Sequence, residues 1–280
     1  MSQNNVATVK VAISALFFAL GGLFIKLVPW SSLSIQAVRC AFALPVMLIY
    51  MKMTHHKMII NRAVILIAVA NTAMSTTYVL ANKLTTAANA VVLHFTEPLF
   101  VIFLVWIVWK KKPDRASLIA VLVAFIGIIF FFIDDLSYGN IVGNLVAIFS
   151  GFCYTGVFLG KTFKDSDFES GIVLSYILNI VIWGWHLTGE TEFSAQIWII
   201  MICFGVFQYS LSYVFLSQGL DHVSAVTASL ISMLEPVTNP ILVAVFYGEM
   251  IGHTALIGAV IVLGAVTWYS VHQARSTSNE

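Results

Sequence analysis

Two carboxylates stand directly before prolines, each in the middle of a long apolar stretch. Glu97 lies in residues 94–99 (HFTEPL) and Glu235 lies in residues 232–237 (SMLEPV). An ionised side chain at bilayer depth costs about 2.5–3.5 kcal/mol, so such a group usually has a partner or a task. Proline removes a helical hydrogen bond and kinks a helix. Glu97 and Glu235 are therefore the first candidates for binding a proton or a cationic group of a substrate.

A structural interpretation of the same residues stays open. Each glutamate would then be a protonated or hydrogen-bonded carboxyl that caps the backbone groups left without a helical hydrogen bond by its proline. His94 lies three residues before Glu97, which places both on one face of a continuous helix. His94 is a candidate proton relay or substrate contact, and its alternative is a neutral histidine hydrogen-bonded to Glu97 or to a backbone carbonyl. Glu97, Glu235 and His94 are the candidates for proton coupling.

Further polar side chains lie deep in apolar stretches. Arg39 is about eight residues into its stretch, where it either holds a substrate carboxylate bidentately or pairs with an acid of the protein. Lys26 lies near the end of its stretch, and we interpret it as a snorkelling side chain. Two other stretches carry hydroxyls and amides that either bond neighbouring helices or line a binding cavity. These residues are Asn71, Ser75, Thr77, Tyr78, Gln208, Ser212 and Tyr213.

Composition places these residues in a membrane protein. The chain has 280 residues, of which 60% are hydrophobic and 10% are charged, whereas soluble domains are about 45–50% apolar and about 25% charged. A transmembrane helix needs about 20 mostly apolar residues. The sequence predicts an all-α polytopic protein with ten spans. They are residues 7–28, 32–51, 61–82, 86–109, 115–133, 140–161, 168–188, 194–218, 222–247 and 251–272.

The basic residues predict the orientation of the spans, because positive charge favours cytoplasmic loops. With the N-terminus in the cytoplasm, 11 of the 14 Lys and Arg residues lie on the cytoplasmic side. Lys83 lies outside, and Lys26 and Arg39 lie within spans. We therefore expect a multi-pass plasma-membrane protein with both termini in the cytoplasm. The polar tail, residues 273–280, is expected to be disordered.

The chain carries an internal repeat. Residues 75–79 (STTYV) match residues 210–214 (SLSYV) at an offset of 135, which Lys26 and Lys161 share. The Glu-Pro pairs are offset by 138, as one three-residue insertion would explain. Five spans are an odd number, so the second half must insert upside down. We predict two inverted repeats, residues 1–137 and 138–272, with a substrate site at midplane between them.

These features together resemble the EamA-repeat type of the drug/metabolite transporter superfamily. The resemblance is carried by the Glu-Pro pairs, Arg39, both tyrosines, the end of the first span from Gly21 to Lys26 and residues 247–249 (YGE). It implies a central cavity lined by spans 1–4 and 6–9, with spans 5 and 10 at the periphery. Residues 109–111 (WKK) stand where the second half has residues 247–249, so Glu249 has no counterpart in the first half.

The sequence contains no motif of an enzyme. It has no GxSxG, no HExxH, no phosphate-binding loop and no metal-ligand spacing. Its three cysteines, Cys40, Cys153 and Cys203, lie in apolar stretches and form no CxxC pair. With a net charge of +1, nothing indicates a nucleic-acid partner. We expect no catalysis, no cofactor and no metal. The expected partners are a small-molecule substrate, the lipid bilayer and, if transport is proton-linked, a proton. The sequence does not indicate an oligomeric state.

We expect a secondary transporter that works by alternating access, with the two repeats rocking around the midplane site. The predicted substrate-binding residues carry both signs of charge among aromatic walls, which favours a small amphoteric or amphipathic metabolite. They are Glu97, Glu235, Arg39, His94, Tyr78, Tyr213, Asn71 and Gln208. Efflux or exchange of an amino acid or related compound is the leading hypothesis. The alternatives are uptake of an organic cation such as a quaternary amine, and a non-transporting membrane scaffold or accessory subunit.

Overall fold

The computed structural model describes residues 3–136, 140–247 and 252–278, and their regular structure is helical. Ten stretches are long and apolar enough to cross a membrane, as predicted. We number them as spans 1 to 10. The spans are Gln3–Ala19 with Gly21–Leu27, Ser32–Met53, Arg62–Leu84, Ala87–His94 with Glu97–Trp109, Arg115–Phe132, Ile141–Phe158, Phe168–Trp183 with Gly184–Gly189, Ala195–Cys203 with Phe204–Leu211 and Ser212–Leu220, Ala225–Ser232 with Glu235–Tyr247, and His253–Ser278.

The ends of the spans agree with the prediction to within a few residues, except at the C-terminus. Span 10 continues as a helix to Ser278, so the expectation of a disordered tail is wrong for residues 273–278. The predicted boundary between the repeats, at residues 137 and 138, lies outside the described residues. Gly248 and Glu249 of the predicted turn also lie outside them.

Polar side chains fix where most spans begin. Each of spans 2 to 9 is preceded by a residue whose side-chain oxygen accepts a hydrogen bond from a backbone N–H of the first turn. This bond satisfies one of the N–H donors that have no partner inside the helix. In chain order these residues are Ser31, Asn61, Thr86, Asp114, Asn140, Asp167, Ser194 and Ser224.

Spans 4 and 9 are broken at matching places. The first helix of span 4 ends at His94 and the second begins at Glu97; in span 9 the corresponding residues are Ser232 and Glu235. Each proline is the second residue of its new helix, where its missing N–H costs little. The helix is therefore broken before the Glu-Pro pair. His94 and Glu97 lie on different helices, so the prediction that they share a face of one helix was wrong.

The two inverted five-span repeats interdigitate. Span 3 packs on spans 6 and 7, span 1 packs on spans 8 and 9, span 2 packs on spans 7 and 8, and span 4 packs on span 6. Spans 5 and 10 pack mainly on each other, at the periphery. Most helix contacts thus join one repeat to the other. Rocking of one whole repeat against the other, which the sequence suggested, would break these contacts. The packing defines two other groups, spans 3, 4 and 6 and spans 1, 8 and 9.

Loops from the two repeats are joined on both faces of the helix bundle. We call the face that holds both chain ends the terminal face and the opposite one the distal face. On the terminal face His56 pairs with Asp167, and the Asn61 side-chain amide donates to the Asp165 carbonyl at 2.5 Å. We call these two contacts the terminal-face latch.

The distal face is joined at the start of span 2. The Trp30 indole donates to the Glu192 carbonyl at 2.7 Å, and the Ser31 amide donates to the Glu190 carboxylate at 2.9 Å. Burial raises the pKa of Glu190, but hydrogen bonds from Ser34 and Ser31 outweigh this effect and hold the pKa below its ordinary value. Span 2 is therefore attached to the second repeat at its distal end.

Candidate substrate cavity

A cavity of about 770 Å³ runs from the middle of the bundle to the distal face. Its mouth is lined by residues at the distal ends of spans, among them Ile25, Ser32 and Lys83. Its deep end contains Arg39 and Glu235. The volume falls within the range of about 300–1,000 Å³ that is usual for small-molecule sites. The structure is therefore open on the distal side.

Arg39 forms one pole of the cavity. Its Nη2 donates to the Gln36 side-chain oxygen, and its guanidinium carbon lies 4.2 Å from the centre of the Tyr209 ring. Its Nε has no hydrogen-bond partner, and in the described part of the chain no carboxylate lies within ion-pair distance. Cation–π stacking and one hydrogen bond leave donors of the guanidinium free. The alternative of a structural ion pair for Arg39 is not seen among the described residues.

The backbone of span 8 brings Tyr209 to Arg39. Residues 204–211 form a π-helical segment, a form that often marks functional positions. Gly205 in this segment packs directly on span 2. A Cβ at Gly205 would lie 2.6 Å from the Arg39 carbonyl oxygen and 2.6 Å from the Phe42 Cβ. Only a glycine allows spans 2 and 8 to approach this closely.

Glu235 forms the second pole. It begins the second helix of span 9 and lines the cavity, and no hydrogen bond or ion pair joins it to another described residue. The cavity is therefore lined by a guanidinium and a carboxyl group that form no ion pair with each other.

An aromatic cluster lines the cavity beside the break of span 4. The His94 ring stacks on Tyr154 with centroids 5.1 Å apart, and the Tyr78 centroid lies 4.6 Å from that of His94. His94 Nδ1 is 2.8 Å from the Ser150 hydroxyl, so the partner of His94 is neither Glu97 nor a backbone carbonyl, as the sequence had suggested. His94, Tyr78 and Tyr154 all line the cavity.

Glu97 does not line the cavity. Its side chain is fully buried, and neither carboxylate oxygen has a hydrogen-bond partner among the described residues. A hydrogen-bonded seal at the proline is therefore not what the structure contains. The two Glu-Pro pairs are related by the repeat but differ in exposure, since Glu235 faces the cavity and Glu97 is enclosed.

Of the remaining predicted residues, some line the cavity and others hold the lining residues in place. Tyr213 and Gln208 line the cavity. The Tyr213 hydroxyl donates to the Asn71 side-chain oxygen at 2.6 Å, while Asn71 is fully buried and donates to the Ser175 hydroxyl at 2.6 Å. Asn71 therefore supports Tyr213 from outside the cavity. The side chain of Lys26 lies outside what the structure describes.

Three lining residues around Arg39 and the aromatic cluster are among those missed in the sequence. Gln36, Tyr154 and Tyr209 line the cavity, and the first and last of them contact Arg39. Gln36 was detectable in principle, because a residue three positions before a deep arginine shares its helix face. Tyr209 was not, because the π-helical segment changes which residues of span 8 face span 2.

The chain matches a known family in both of its halves. The EamA-like transporter family matches residues 7–133 and again residues 138–271. The chain belongs to this family. Its relatives and its fold define it as a transporter of the drug/metabolite superfamily, a multi-pass membrane protein.

Individual relatives are distant. An uncharacterized transporter of Clostridium kluyveri is 26% identical over 206 residues, which cover 66% of this chain and 64% of that protein. GDP-fucose transporter 1 of Dictyostelium discoideum is 24% identical over 191 residues, which cover 62% of this chain and 50% of that protein. An uncharacterized transporter of Archaeoglobus fulgidus is 24% identical over 270 residues, which cover 91% and 93%.

A solved crystal structure has the same fold. It superposes with a TM-score of 0.82 over 97% of this chain and 99% of its own, at 14% sequence identity. This likeness shows the arrangement of the ten spans and carries no information about the substrate.

Proposed function

We propose that this transporter moves a small amphoteric metabolite, an amino acid or a related compound, by efflux or exchange. The observation that carries the proposal is that Arg39 and Glu235 line one cavity without an ion pair between them. Exposing two unpaired charges at membrane depth is costly unless a ligand or water satisfies them. A zwitterion brings a carboxylate for the guanidinium and an ammonium for the carboxylate.

The walls between the two poles suit the rest of such a molecule. Tyr78, Tyr154 and Tyr213 present rings and hydroxyls to the cavity, and Phe18 and Phe95 add apolar surface. Sites of this kind bind the apolar body of a ligand through hydrophobic contact and orient it through a few polar groups. His94, Gln208 and Gln36 supply additional polar groups around the two charges.

Alternating access would move the group of spans 3, 4 and 6 against the group of spans 1, 8 and 9. Opening of the terminal face would separate the ion pair between the Lys161 ammonium and the Asp221 carboxylate at 2.6 Å, because this pair joins the end of span 6 to the end of span 8. We place the terminal face in the cytoplasm of a cell whose plasma membrane holds the protein, because the basic loops lie on that face. The described conformation is then open to the outside.

Proton coupling would use the two glutamates in turn. Glu235 faces the cavity of the distally open form, whereas Glu97 is enclosed and has no hydrogen-bond partner among the described residues. In an inverted repeat the two halves exchange roles when the opening changes face, so Glu97 would line the cavity of the other form. His94 would act beside them as a contact of the substrate or a proton relay.

A second candidate is uptake of an organic cation. It is favoured by the aromatic cluster of His94, Tyr78 and Tyr154 near Glu235, because aromatic faces and a carboxylate together bind quaternary ammonium groups. The two proposals differ at Arg39. Arg39→Gln should weaken binding of an amino acid about tenfold or more but leave binding of an organic cation unchanged.

A nucleotide sugar is a weaker candidate, although one relative is named a GDP-fucose transporter. Two phosphates would be held by Arg39 but repelled by Glu235, which faces the same cavity. A role as a non-transporting scaffold or accessory subunit leaves the unpaired charges unexplained.

The experiment is a ligand screen on the purified protein followed by transport. Thermal stabilisation is measured at two pH values with amino acids, amines, nucleosides, sugars and GDP-fucose, since a ligand of the folded state raises its apparent stability. Counterflow of the radiolabelled hit is then measured in proteoliposomes. We expect a hit among amino acids and its exchange across the membrane. Stabilisation only by amines or only by GDP-fucose would contradict the proposal, and binding without counterflow would favour the scaffold.

A further inference from the structure

A chain of three side chains runs from the wall of the cavity into the second repeat. Arg39 Nη2 donates to Gln36 Oε1, Gln36 Nε2 donates to Asn179 Oδ1 at 2.9 Å, and Asn179 Nδ2 donates to the backbone carbonyl of Ser175 at 2.8 Å. Arg39 and Gln36 lie on span 2 and Asn179 lies on span 7. We call this series the amide relay.

The direction of the amide relay is fixed at its buried end. A backbone carbonyl is only an acceptor, so Asn179 must turn its NH₂ group to Ser175 and its oxygen to Gln36. Gln36 must then offer its NH₂ group to Asn179, which leaves its oxygen for Arg39. Gln36 and Asn179 are both almost fully buried, at 1% and 0% exposure, so water does not compete for these bonds.

The amide relay and the Tyr209 ring together restrict the orientation of the Arg39 guanidinium. One edge is held at Nη2 by Gln36, and one face is covered by Tyr209 at 4.2 Å. An arginine carries five donors in a planar fork. With its plane and one edge fixed, the guanidinium is preorganised to hold an anionic group with the remaining donors, and less side-chain entropy is lost on binding.

We propose that Gln36 and Asn179 are positioning residues that orient Arg39 for the carboxylate of the substrate; the reference to a substrate carboxylate rests on the proposed function. Asn179 does not line the cavity, whereas Gln36 does. The second repeat thereby controls a binding group of the first. Loss of the Asn179 amide changes the mobility of Arg39 from a position that touches neither Arg39 nor the ligand.

The test uses the small number of arginines. The chain contains four, at positions 39, 62, 115 and 275, so protein labelled with ¹⁵N-arginine gives four Nε–H signals, and Arg39→Lys identifies the one from Arg39. Relaxation of this signal reports how firmly the guanidinium is held. Asn179→Leu and Gln36→Met remove the amide relay with side chains of similar volume. Ser14→Ala is the control, because Ser14 is buried and donates to the Ser212 carbonyl at 2.8 Å, outside the amide relay.

We expect Arg39 to be rigid in the unmodified protein and in Ser14→Ala, and mobile in both relay variants. Binding of the amino acid that stabilises the protein best weakens about tenfold or more in both, the loss expected for one hydrogen bond to a charged group. Binding of its decarboxylated amine is unchanged in Asn179→Leu, because Asn179 does not line the cavity. Unaltered Arg39 relaxation in Asn179→Leu overturns the inference, as does equal loosening in Ser14→Ala. If relaxation changes as expected but amino acids do not bind, the positioning stands and the proposed function fails.

Discussion

Glu97 and Glu235 occupy matching positions in the two repeats but have different surroundings. Glu235 faces the cavity, and Glu97 is enclosed with both oxygens unpaired among the described residues. A glutamate that directly precedes a proline therefore has a different environment in each repeat. An enclosed carboxyl without a partner is costly when ionised, whereas one that faces a cavity can be satisfied by water or by a ligand.

This difference predicts opposite results for the same substitution. Glu235→Gln strongly reduces ligand stabilisation, because it removes the charge that binds the ammonium group. Glu97→Gln keeps ligand stabilisation in the distally open form, because Glu97 does not touch that cavity. The measurement is the ligand-induced rise in unfolding temperature of both variants. Equal loss of ligand stabilisation in both would show that Glu97 also contacts the substrate in this form.

The substitutions Glu97→Gln and Glu235→Gln also test proton coupling in transport. If Glu97 lines the cavity of the terminally open form, Glu97→Gln makes uptake into proteoliposomes independent of a pH gradient while exchange at equal pH continues. The measurement compares uptake with and without an imposed pH gradient. A full response to the gradient in Glu97→Gln excludes Glu97 from the coupling, and a full response in both variants rejects coupling through either carboxylate.

At the scale of residues, the sequence predicted the two poles but not their partners. Buried charge in an apolar stretch is a strong signal, and it identified Arg39 and Glu235. Whether Glu97 faced the cavity depended on packing between spans, which periodicity does not contain. The partner of His94 is Ser150, a residue of a different span 56 positions away, and no local pattern links them.

At the scale of elements, the broken spans and the π-helical segment place the charged groups. The breaks bring Glu97 and Glu235 to the starts of helices, where the helix dipole favours negative charge. The π-helical segment and Gly205 bring span 8 against span 2 at Arg39. The caps and the prolines were visible in the sequence. The π-helical segment was not, since no proline or other helix-breaking signal marks it.

Gly205→Ala tests this close approach. Its Cβ would meet backbone and Cβ atoms of span 2 at 2.6 Å, which cannot be relieved by a side-chain rotation. We expect a loss of about 1–3 kcal/mol, the usual cost of overpacking, together with weaker ligand binding through displaced Arg39. Thermal unfolding in detergent and ligand stabilisation measure the two effects.

Gly184→Ala is the matched control, because no atom lies within 4 Å of the Cβ it would add. We expect its stability to be unchanged or slightly higher, as is usual when alanine replaces glycine at an open position. If Gly205→Ala is as stable as Gly184→Ala, spans 2 and 8 are not closely packed at Arg39.

At the scale of the whole molecule, the packing of the interdigitated repeats defines the two groups of spans that would move against each other. The sequence predicted ten spans and their inversion because hydropathy, loop charge and the repeat offset all contribute to that conclusion. It did not predict which spans pack together, because the repeat says only that the halves are similar. The contact between His56 and Asp167 joins loops 111 residues apart and had no signal in either loop.

Asp221→Asn should shift the protein towards the form that is open on the terminal face. It removes the charge that pairs with Lys161 and so weakens the contact between the end of span 6 and the end of span 8. The measurement is the distance between spin labels at positions 112 and 222, both exposed on the terminal face, in protein without native cysteines. We expect a longer-distance population to grow.

Asp165→Asn, on the same face, is the control. Asp165 contributes its backbone carbonyl to the latch, and it has a positive φ of 57°, a conformation that asparagine also tolerates. We expect its distance distribution to match that of the unmodified protein. The same shift in both variants would mean that loop charge in general, and not the pair of Asp221 with Lys161, holds the terminal face closed.

The most direct measurement of the central claim is a comparison of three matched ligands. They are the amino acid that stabilises the protein best, its decarboxylated amine and its deaminated acid, each titrated against unmodified protein, Arg39→Gln and Glu235→Gln. We predict that unmodified protein prefers the amino acid about tenfold or more over either fragment. Arg39→Gln should then bind the amine as well as the amino acid, and Glu235→Gln should bind the acid as well as the amino acid. Identical preferences in all three proteins would contradict recognition of an amphoteric substrate by these two charges.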